Sequence, residues 1–105
     1  MAVLQAQSKE AVYALMIQKI TENGGSASQW YAGIASDWKD RLFVDHQVPK
    51  EGQCQYRVRK CFDREDASWV EISLHEFGCK GSHGGGSDDT IFVYLYQMQP
   101  GVTAE

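Results

Sequence analysis

The run at residues 90–98, TIFVYLYQM, constrains the fold more than any other stretch, because its side chains are apolar at successive positions. Neighbouring side chains of a β-strand point to opposite faces, so a strand of this composition needs cover on both faces. A chain of 105 residues, of which 43% are hydrophobic, is large enough for one core and too short for two. We therefore predict a single domain, residues 1–105, in which this run is a central strand.

Three segments have the apolar spacing of helices. Ser8 can cap a helix that runs to residue 22, where an Asn-Gly-Gly sequence ends it. A second helix is predicted over residues 37–47. Asp63 begins a third helix, and Gly78 ends it. The residues predicted to form the buried stripes are Val12, Leu15, Met16 and Ile20 in the first helix, Trp38, Leu42 and His46 in the second, and Ala67, Val70, Leu74 and Phe77 in the third.

Two further strands alternate with these helices. Residues 30–35 form a short run that begins with two aromatic side chains, and residues 54–62 alternate with a period of two. The resulting order, helix, strand, helix, strand, helix, strand, predicts an α/β (α+β) fold with three strands in one sheet and about three helices packed on it. In the strand at 54–62 we expect Tyr56, Val58 and Phe62 on one face, with Arg57 and Arg59 on a second, water-facing side.

The glycine-rich stretch at residues 78–89, GCKGSHGGGSDD, joins the third helix to the central strand. It lacks the GxxxxGK[ST] order of a phosphate-binding loop, and it precedes a strand where such a loop precedes a helix. Asp88 and Asp89 would also repel phosphate. We therefore interpret it as a connection whose glycines permit tight turns, and a mobile lid over a neighbouring site is the functional alternative.

The charge of the chain is unevenly distributed. The net charge of -4 disfavours a generic nucleic-acid binder, but residues 39–64 contain seven basic residues and only four acidic ones. Arg57, Arg59 and Lys60 could form a local nucleic-acid-binding face within this segment. The alternative is that they are ordinary solvated charges, which discourage strands from associating edge to edge.

The three cysteines, Cys54, Cys61 and Cys79, include no CxxC pair, so reduced and mostly buried thiols are expected. Cys79 and His83 could hold a zinc ion only if another cysteine joined them. The first residues lack the features of a signal peptide, and no segment approaches the roughly 20 apolar residues of a membrane span. We expect a cytoplasmic protein that does not enter a membrane.

The segment at residues 30–46, WYAGIASDWKDRLFVDH, resembles the second half of the GIY-YIG nuclease signature. In that family a strand ending in Tyr-x-Gly leads into a helix that carries an arginine ten residues beyond the tyrosine. The matching positions here are Tyr31, Gly33 and Arg41, and His46 resembles a histidine often found further along that helix. The resemblance reaches to about residue 77 and covers under half of the chain.

The resemblance implies a divalent metal, Mg²⁺, if the domain is catalytic. It implies that Tyr31 lies near the nucleophilic water, that Arg41 stabilises charge on the scissile phosphate, and that a glutamate on a later helix binds the metal. Glu71 in ASWVEISL is the candidate, with Glu65 and Glu76 as substitutes. Such hydrolysis needs a cation near the developing charge and a carboxylate for the metal.

The first half of the signature, a Gly-Ile-Tyr strand about ten residues before Tyr31, is missing. The final strand could occupy the vacant place beside residues 30–35, as in a permuted arrangement. Tyr94 or Tyr96 would then present the missing hydroxyl. This hypothesis requires the two strands to be neighbours.

Each of these residues also has a plainer interpretation. Tyr31 could be a core residue whose hydroxyl finds a partner. Arg41 and Asp45, or Glu71 and His75, are four residues apart and could simply pair on a helix surface. His46 could simply end its helix, where the helix dipole favours an imidazolium without any catalytic role.

Three classes of function follow. We expect a GIY-YIG-like domain without catalytic activity that binds nucleic acid or a protein partner. The first alternative is a metal-dependent endonuclease that uses the residues above. The second is a protein-interaction module that forms a homodimer through exposed aromatic residues, for which the candidates are Trp30, Trp38, Trp69 and Tyr96.

Overall fold

The computed structural model of the protein describes residues 4–50, 54–81 and 87–104. These residues form one sheet with two long helices on one face and a short helical segment on the other. In chain order the elements are β1 (Ala6–Gln7), α1 (Lys9–Glu22), a 3-10 turn (Ala27–Gln29), β2 (Trp30–Ala35), α2 (Trp38–Asp40) continued by a π-helical turn (Arg41–Asp45), β3 (Tyr56–Cys61), α3 (Arg64–Phe77) and β4 (Phe92–Gln97).

The sheet has four strands in the order β1-β3-β4-β2, and β4 is antiparallel to both of its neighbours. The apolar run therefore does form a central strand, as its composition predicts. The prediction of three strands is wrong by one. The additional strand, β1, consists of two residues that pair in parallel with Lys60 and Cys61, and two residues are too few to show a period.

Helices α1 and α3 cover one face of the sheet and form the larger part of the core. Their predicted caps are present, since Ser8 accepts a hydrogen bond from the Ala11 amide and Asp63 accepts one from the Asp66 amide. Gly78 ends α3 with a φ of 129°, a value that favours glycine. The largest fully buried side chains on this face are Met16, Ile20, Trp30, Leu74 and Leu95.

Two of the residues predicted to be buried are exposed. Phe77 is 47% exposed, because it is the last residue of α3 and lies beyond Leu74, the last buried residue of that helix. Phe62 is 65% exposed, since β3 ends at Cys61 and no longer directs the next side chain into the sheet. Leu15 is only half-buried, because Val12, Met16 and Ile20 occupy the stripe that faces the core.

The second predicted helix is shorter and less regular than its apolar spacing indicates. Regular α-helix is confined to Trp38–Asp40, and the next turn is widened so that the His46 amide donates to the Arg41 carbonyl over 3.0 Å. Gln47 then takes a φ of 56° and turns the chain away. Such π-turns occur often at functional sites, and this one lies over the face of the sheet opposite α1 and α3.

The glycine-rich connection leads from α3 to the central strand, as predicted, and its residues 82–86 lie outside the described part of the chain. Its first residues pair with the outer edge of β2. The Lys80 amide donates to the Trp30 carbonyl over 2.8 Å, and the Lys80 carbonyl accepts from the Ala32 amide over 2.9 Å. The connection therefore covers an edge of the sheet that β4 does not reach.

The three cysteines are free and buried, as predicted. Burial raises the pKa of Cys61 and of Cys79 to about 11, so both are thiols at neutral pH and are poor nucleophiles. None of the helices in the described ranges is both long enough and apolar enough to cross a membrane.

Candidate functional site

The register between β2 and β4 brings four residues onto one face of the sheet. Gly33 is opposite Tyr94, and Tyr31 is opposite Tyr96. Because Gly33 has no side chain, the Tyr94 ring lies directly against its backbone; an added Cβ would be only 2.5 Å from Tyr94 Cζ. Strands β2 and β4 are thus neighbours, as the hypothesis requires that the final strand takes the vacant place beside residues 30–35. Of the two candidate tyrosines, Tyr94 is the one whose ring lies over the backbone of β2.

His46 connects Tyr94 to the end of the described chain. Its Nδ1 lies 2.7 Å from the Ala104 carbonyl oxygen, and its Nε2 lies 2.8 Å from the Tyr94 hydroxyl. A carbonyl oxygen only accepts, so Nδ1 carries the proton. In the neutral imidazole Nε2 is therefore the acceptor. The Tyr94 hydroxyl consequently donates its proton toward His46.

Tyr31 and Tyr96 pack around the imidazole. The ring centroids of Tyr31 and His46 are 4.6 Å apart, and the Tyr31 ring stacks on that of Tyr96 at 5.3 Å. The Tyr96 hydroxyl lies 3.0 Å from His46 Nδ1 and donates to the Ala104 carbonyl over 3.0 Å. The Ala104 amide in turn donates to the His46 carbonyl over 2.7 Å. The orientation of the imidazole is therefore fixed from both sides.

Arg41 approaches the same hydroxyl from the π-helical turn. Burial raises the pKa of Tyr94 well above its ordinary value, and Tyr31 adds to the rise. Arg41 opposes it through its charge and a side-chain hydrogen bond, whereas Glu71 raises it further. Arg41 also pairs with Asp45, with 3.1 Å between Nε and Oδ2. The predicted pair of Arg41 with Asp45 is therefore present. A guanidinium has five N–H donors, so Arg41 can bond to Asp45 and to the Tyr94 hydroxyl together.

Glu71 lies inside the protein and not on its surface. It is 4% exposed, and its carboxylate accepts a hydrogen bond from the backbone of Ile34 on β2. Burial raises the pKa of Glu71 to about 7, and the Ile34 amide limits this rise. The predicted partner, His75, donates from Nε2 to the Ala32 carbonyl over 2.9 Å. Both side chains of α3 therefore face the outer edge of β2.

A single buried carboxylate fits Mg²⁺ better than zinc. Mg²⁺ is commonly held by one or two carboxylates together with water and substrate phosphate oxygens, whereas structural zinc needs four protein ligands. Among residues 4–50, 54–81 and 87–104, no group of three His, Cys, Asp or Glu side chains could hold a metal ion. The zinc ligand predicted at His83 lies outside these residues. Glu71 is the one predicted metal ligand that adjoins the tyrosines.

The predicted nucleic-acid face is half-buried and not fully exposed to water. Arg57 Nη1 donates to the Leu15 carbonyl over 2.9 Å, so this side of β3 packs against α1. Arg59 Nη1 donates to the Val58 carbonyl over 2.7 Å, and the ammonium group of Lys60 lies over the ring of Phe92. The expectation of a wet face is met only in part, because α1 covers some of that side of β3 while the three cations stay half-exposed. All three cations lie on β3, whereas Tyr31, Tyr94, Tyr96 and His46, which together form the tyrosine cluster, lie at β2, β4 and the π-helical turn.

The aromatic residues proposed for a dimer interface are only partly exposed. Trp30 and Tyr96 are fully buried, because β2 and β4 are covered on both faces, so their predicted exposure is wrong. Trp38 is half-buried, and Trp69 is 39% exposed on α3. The homodimer itself stays a prediction.

The Tyr94 hydroxyl has four other predicted site residues around it: Tyr31, Arg41, His46 and Glu71. Sequence reasoning missed the Ala104 carbonyl, and no side-chain pattern could have indicated a backbone acceptor. Comparisons with models of protein families, with curated proteins and with solved structures give no match to this chain. The geometry of the cluster is therefore the basis for a functional assignment.

Proposed function

We propose that the protein hydrolyses phosphodiester bonds in nucleic acid with the help of one divalent metal ion, in the manner of the GIY-YIG nucleases that residues 30–46 resemble. The observation that carries this proposal is the convergence on the Tyr94 hydroxyl of a base, His46, and a cation, Arg41, with a carboxylate nearby. These are the groups that hydrolysis of a phosphodiester requires.

Each residue takes a role that follows from its contacts. The Tyr94 hydroxyl can pass its proton to His46 Nε2 while it takes one from the attacking water, and the Ala104 carbonyl stabilises the resulting imidazolium. Arg41 would bind the scissile phosphate and stabilise the charge that develops there. Glu71 would hold Mg²⁺, which supplies further positive charge at the phosphate.

A binding domain without catalysis is the second candidate, and one observation favours it. Tyr31, His46, Glu71 and Tyr94 are each no more than 8% exposed, so a phosphate cannot reach all of them without some opening of the site. In this case the cluster would stabilise a scaffold, and the protein would bind nucleic acid or another protein through a different surface.

The test is a cleavage assay on supercoiled plasmid and on single-stranded DNA and RNA, with Mg²⁺ or Mn²⁺. Wild type is compared with Glu71→Gln and with the matched variant Glu76→Gln, which makes the same change at an exposed position of α3. We expect metal-dependent cleavage that falls on the order of a hundredfold or more in Glu71→Gln and is unchanged in Glu76→Gln. Because the pKa of Glu71 is about 7 without metal, protons compete with Mg²⁺ for this carboxylate, and at limiting Mg²⁺ the rate should rise with pH across neutrality.

Absence of cleavage by folded wild type on every substrate would contradict the catalytic proposal and favour the binding domain. Equal cleavage by wild type and Glu71→Gln would show that Glu71 has no role in the reaction. Sedimentation at several protein concentrations tests the predicted homodimer in the same preparations.

A further inference from the structure

A second concave site lies at the β3 end of the sheet, away from β2 and Glu71, and is bordered by residues of β3, α1 and α2. It is a pocket of about 310 Å³, at the lower end of the range for small-molecule sites. Among the described residues, β1 pairs only with Lys60 and Cys61, so the earlier part of β3 borders the pocket directly. The residues that line it include Lys19, Trp38, Tyr56, Arg57, Val58 and Arg59.

Within residues 4–50, 54–81 and 87–104, the positive charges of this pocket have uncharged hydrogen-bond partners. Lys19 Nζ donates to Gln55 Oε1 over 2.8 Å, Arg57 donates to the Leu15 carbonyl, and Arg59 to the Val58 carbonyl. All three partners are uncharged, and the described residues that line the pocket include no acidic one. Within the described ranges the one side-chain ion pair is that of Arg41 with Asp45. Three of the ten lysine and arginine residues of the chain therefore line this pocket, although the net charge of the chain is -4.

The surroundings of Arg59 disfavour its charge. Burial lowers the pKa of Arg59, and the nearby charge of Arg57 lowers it further. A bound anion would compensate for both effects, because its charge is attracted to the two guanidinium groups. Paired guanidinium groups with free donors are well suited to phosphate oxygens.

Aromatic rings complete the pocket. Trp38 and Tyr56 both line it, and both pack edge-on against Phe43, at centroid distances of 6.1 Å and 5.5 Å. Phe43 therefore holds the two rings in place. Fixed aromatic rings beside uncompensated cations are the arrangement that single-stranded nucleic-acid binders use, with bases stacked on the rings and the backbone on the cations.

We propose that this pocket binds one nucleotide of a single-stranded nucleic acid, with its base against Trp38 and Tyr56 and its phosphate at Arg57 and Arg59. This inference rests on the proposed function and names its substrate class. Val58 lines the pocket and is opposite Tyr94, which is opposite Gly33. One strand spacing, about 5 Å, therefore separates Val58 from the backbone of Tyr94, and a second separates Tyr94 from Gly33, against which the Tyr94 ring lies. A nucleic-acid strand held in the pocket can extend toward the Tyr94 hydroxyl.

The test measures binding of a fluorescein-labelled ten-nucleotide DNA by anisotropy, in EDTA so that no metal-dependent cleavage takes place. Trp38→Ala is expected to weaken binding by about 5- to 150-fold, and Trp38→Phe by much less, since phenylalanine keeps a stacking surface. Arg59→Gln should weaken binding and lower the slope of log affinity against log salt by about 0.7, the value for one phosphate contact. The matched control, Arg64→Gln, removes an arginine outside the pocket and should leave both quantities unchanged.

The competitors inorganic phosphate, thymidine and poly-glutamate identify what is recognised. Displacement by a single-stranded oligonucleotide, with little by the three competitors, is the expected result. Equal affinity of Arg59→Gln and wild type would overturn the proposal, and so would stronger binding of poly-glutamate, which would indicate an acidic peptide instead. Because binding is measured without metal, a protein that binds but never cleaves contradicts the proposed hydrolysis while leaving the pocket intact.

Discussion

At the scale of single residues, the space above Gly33 determines where the Tyr94 hydroxyl lies. An added Cβ at position 33 would lie 2.5 Å from Tyr94 Cζ, closer than real Cβ atoms approach a ring. We predict that Gly33→Ala displaces Tyr94 from His46 and lowers the free energy of unfolding by about 1–3 kcal/mol, the usual cost of overpacking. Urea denaturation measures the change, and unaltered stability would mean that the ring lies elsewhere.

Glu71 makes stability depend on pH. Its carboxyl group ordinarily titrates near 4.5 and in the folded protein near 7, so between these values the folded state keeps a proton that the unfolded state has lost. The free energy of unfolding should therefore fall as pH rises from about 4.5 to about 7, by at most about 3 kcal/mol, and then level off.

We predict that Glu71→Gln loses this component of the pH dependence and that Glu76→Gln retains it. Urea denaturation of both variants at about pH 5 and about pH 8 provides the comparison. The same pH dependence in wild type and Glu71→Gln would show that the carboxylate is hydrated and not buried.

Residue spacing predicted which side chains form the site better than it predicted the contacts that those side chains make. The spacing of Tyr31, Gly33 and Arg41 identified three positions that do meet at Tyr94. It could not predict that Ala104 fixes the His46 tautomer, because that contact joins residues 58 apart and uses a backbone oxygen. It also gave no sign that Arg57 packs on α1, since an alternating strand does not show what lies above it.

At the scale of secondary-structure elements, the outer edge of β2 is held by the start of the glycine-rich connection. Lys80 contributes both its amide and its carbonyl to β2. We predict that Lys80→Pro, which removes the donor to the Trp30 carbonyl, lowers the free energy of unfolding by about 1–3 kcal/mol.

Lys80→Ala is the matched control, because it keeps the backbone donor and should change stability little. Hydrogen exchange at the Ala32 amide, which bonds to the Lys80 carbonyl, should accelerate in the proline variant alone. Equal exchange in the two variants would show that this pairing does not protect β2.

The elements that sequence predicts well are those with local end signals. Ser8, Asp63 and Gly78 begin or end helices through contacts within a few residues, and they do so in the structure. The π-helical turn departs from prediction because tertiary contacts of Leu42 and His46 on the sheet replace the regular helical bonding. The two-residue strand β1 depends entirely on its partner β3, which local sequence cannot reveal.

At the scale of the whole molecule, the sheet separates two environments. One face carries α1 and α3 over an apolar core, and the other carries the tyrosines, His46 and the π-helical turn. Glu71 bonds to the Ile34 backbone on β2 and acts on Tyr94 through its charge, and the cationic pocket lies at β3. The central strand, apolar on both faces, is what allows one small domain to keep a core and a polar cluster together.

The central claim is that the convergence on Tyr94 is catalytic, and the most direct measurement is the single-turnover cleavage rate of Tyr94→Phe. Tyr96→Phe is its matched control, since it removes an equally buried hydroxyl from the same strand, one that contacts Ala104 and the far nitrogen of His46. Each variant should lose about 1–3 kcal/mol of stability, because a buried polar partner is left unsatisfied.

We predict a rate loss of about 10²- to 10⁴-fold for Tyr94→Phe, as expected for removal of a group that transfers the proton, and less than about tenfold for Tyr96→Phe. Folded Tyr94→Phe that cleaves as fast as wild type, or as fast as Tyr96→Phe, would contradict a catalytic role for the cluster.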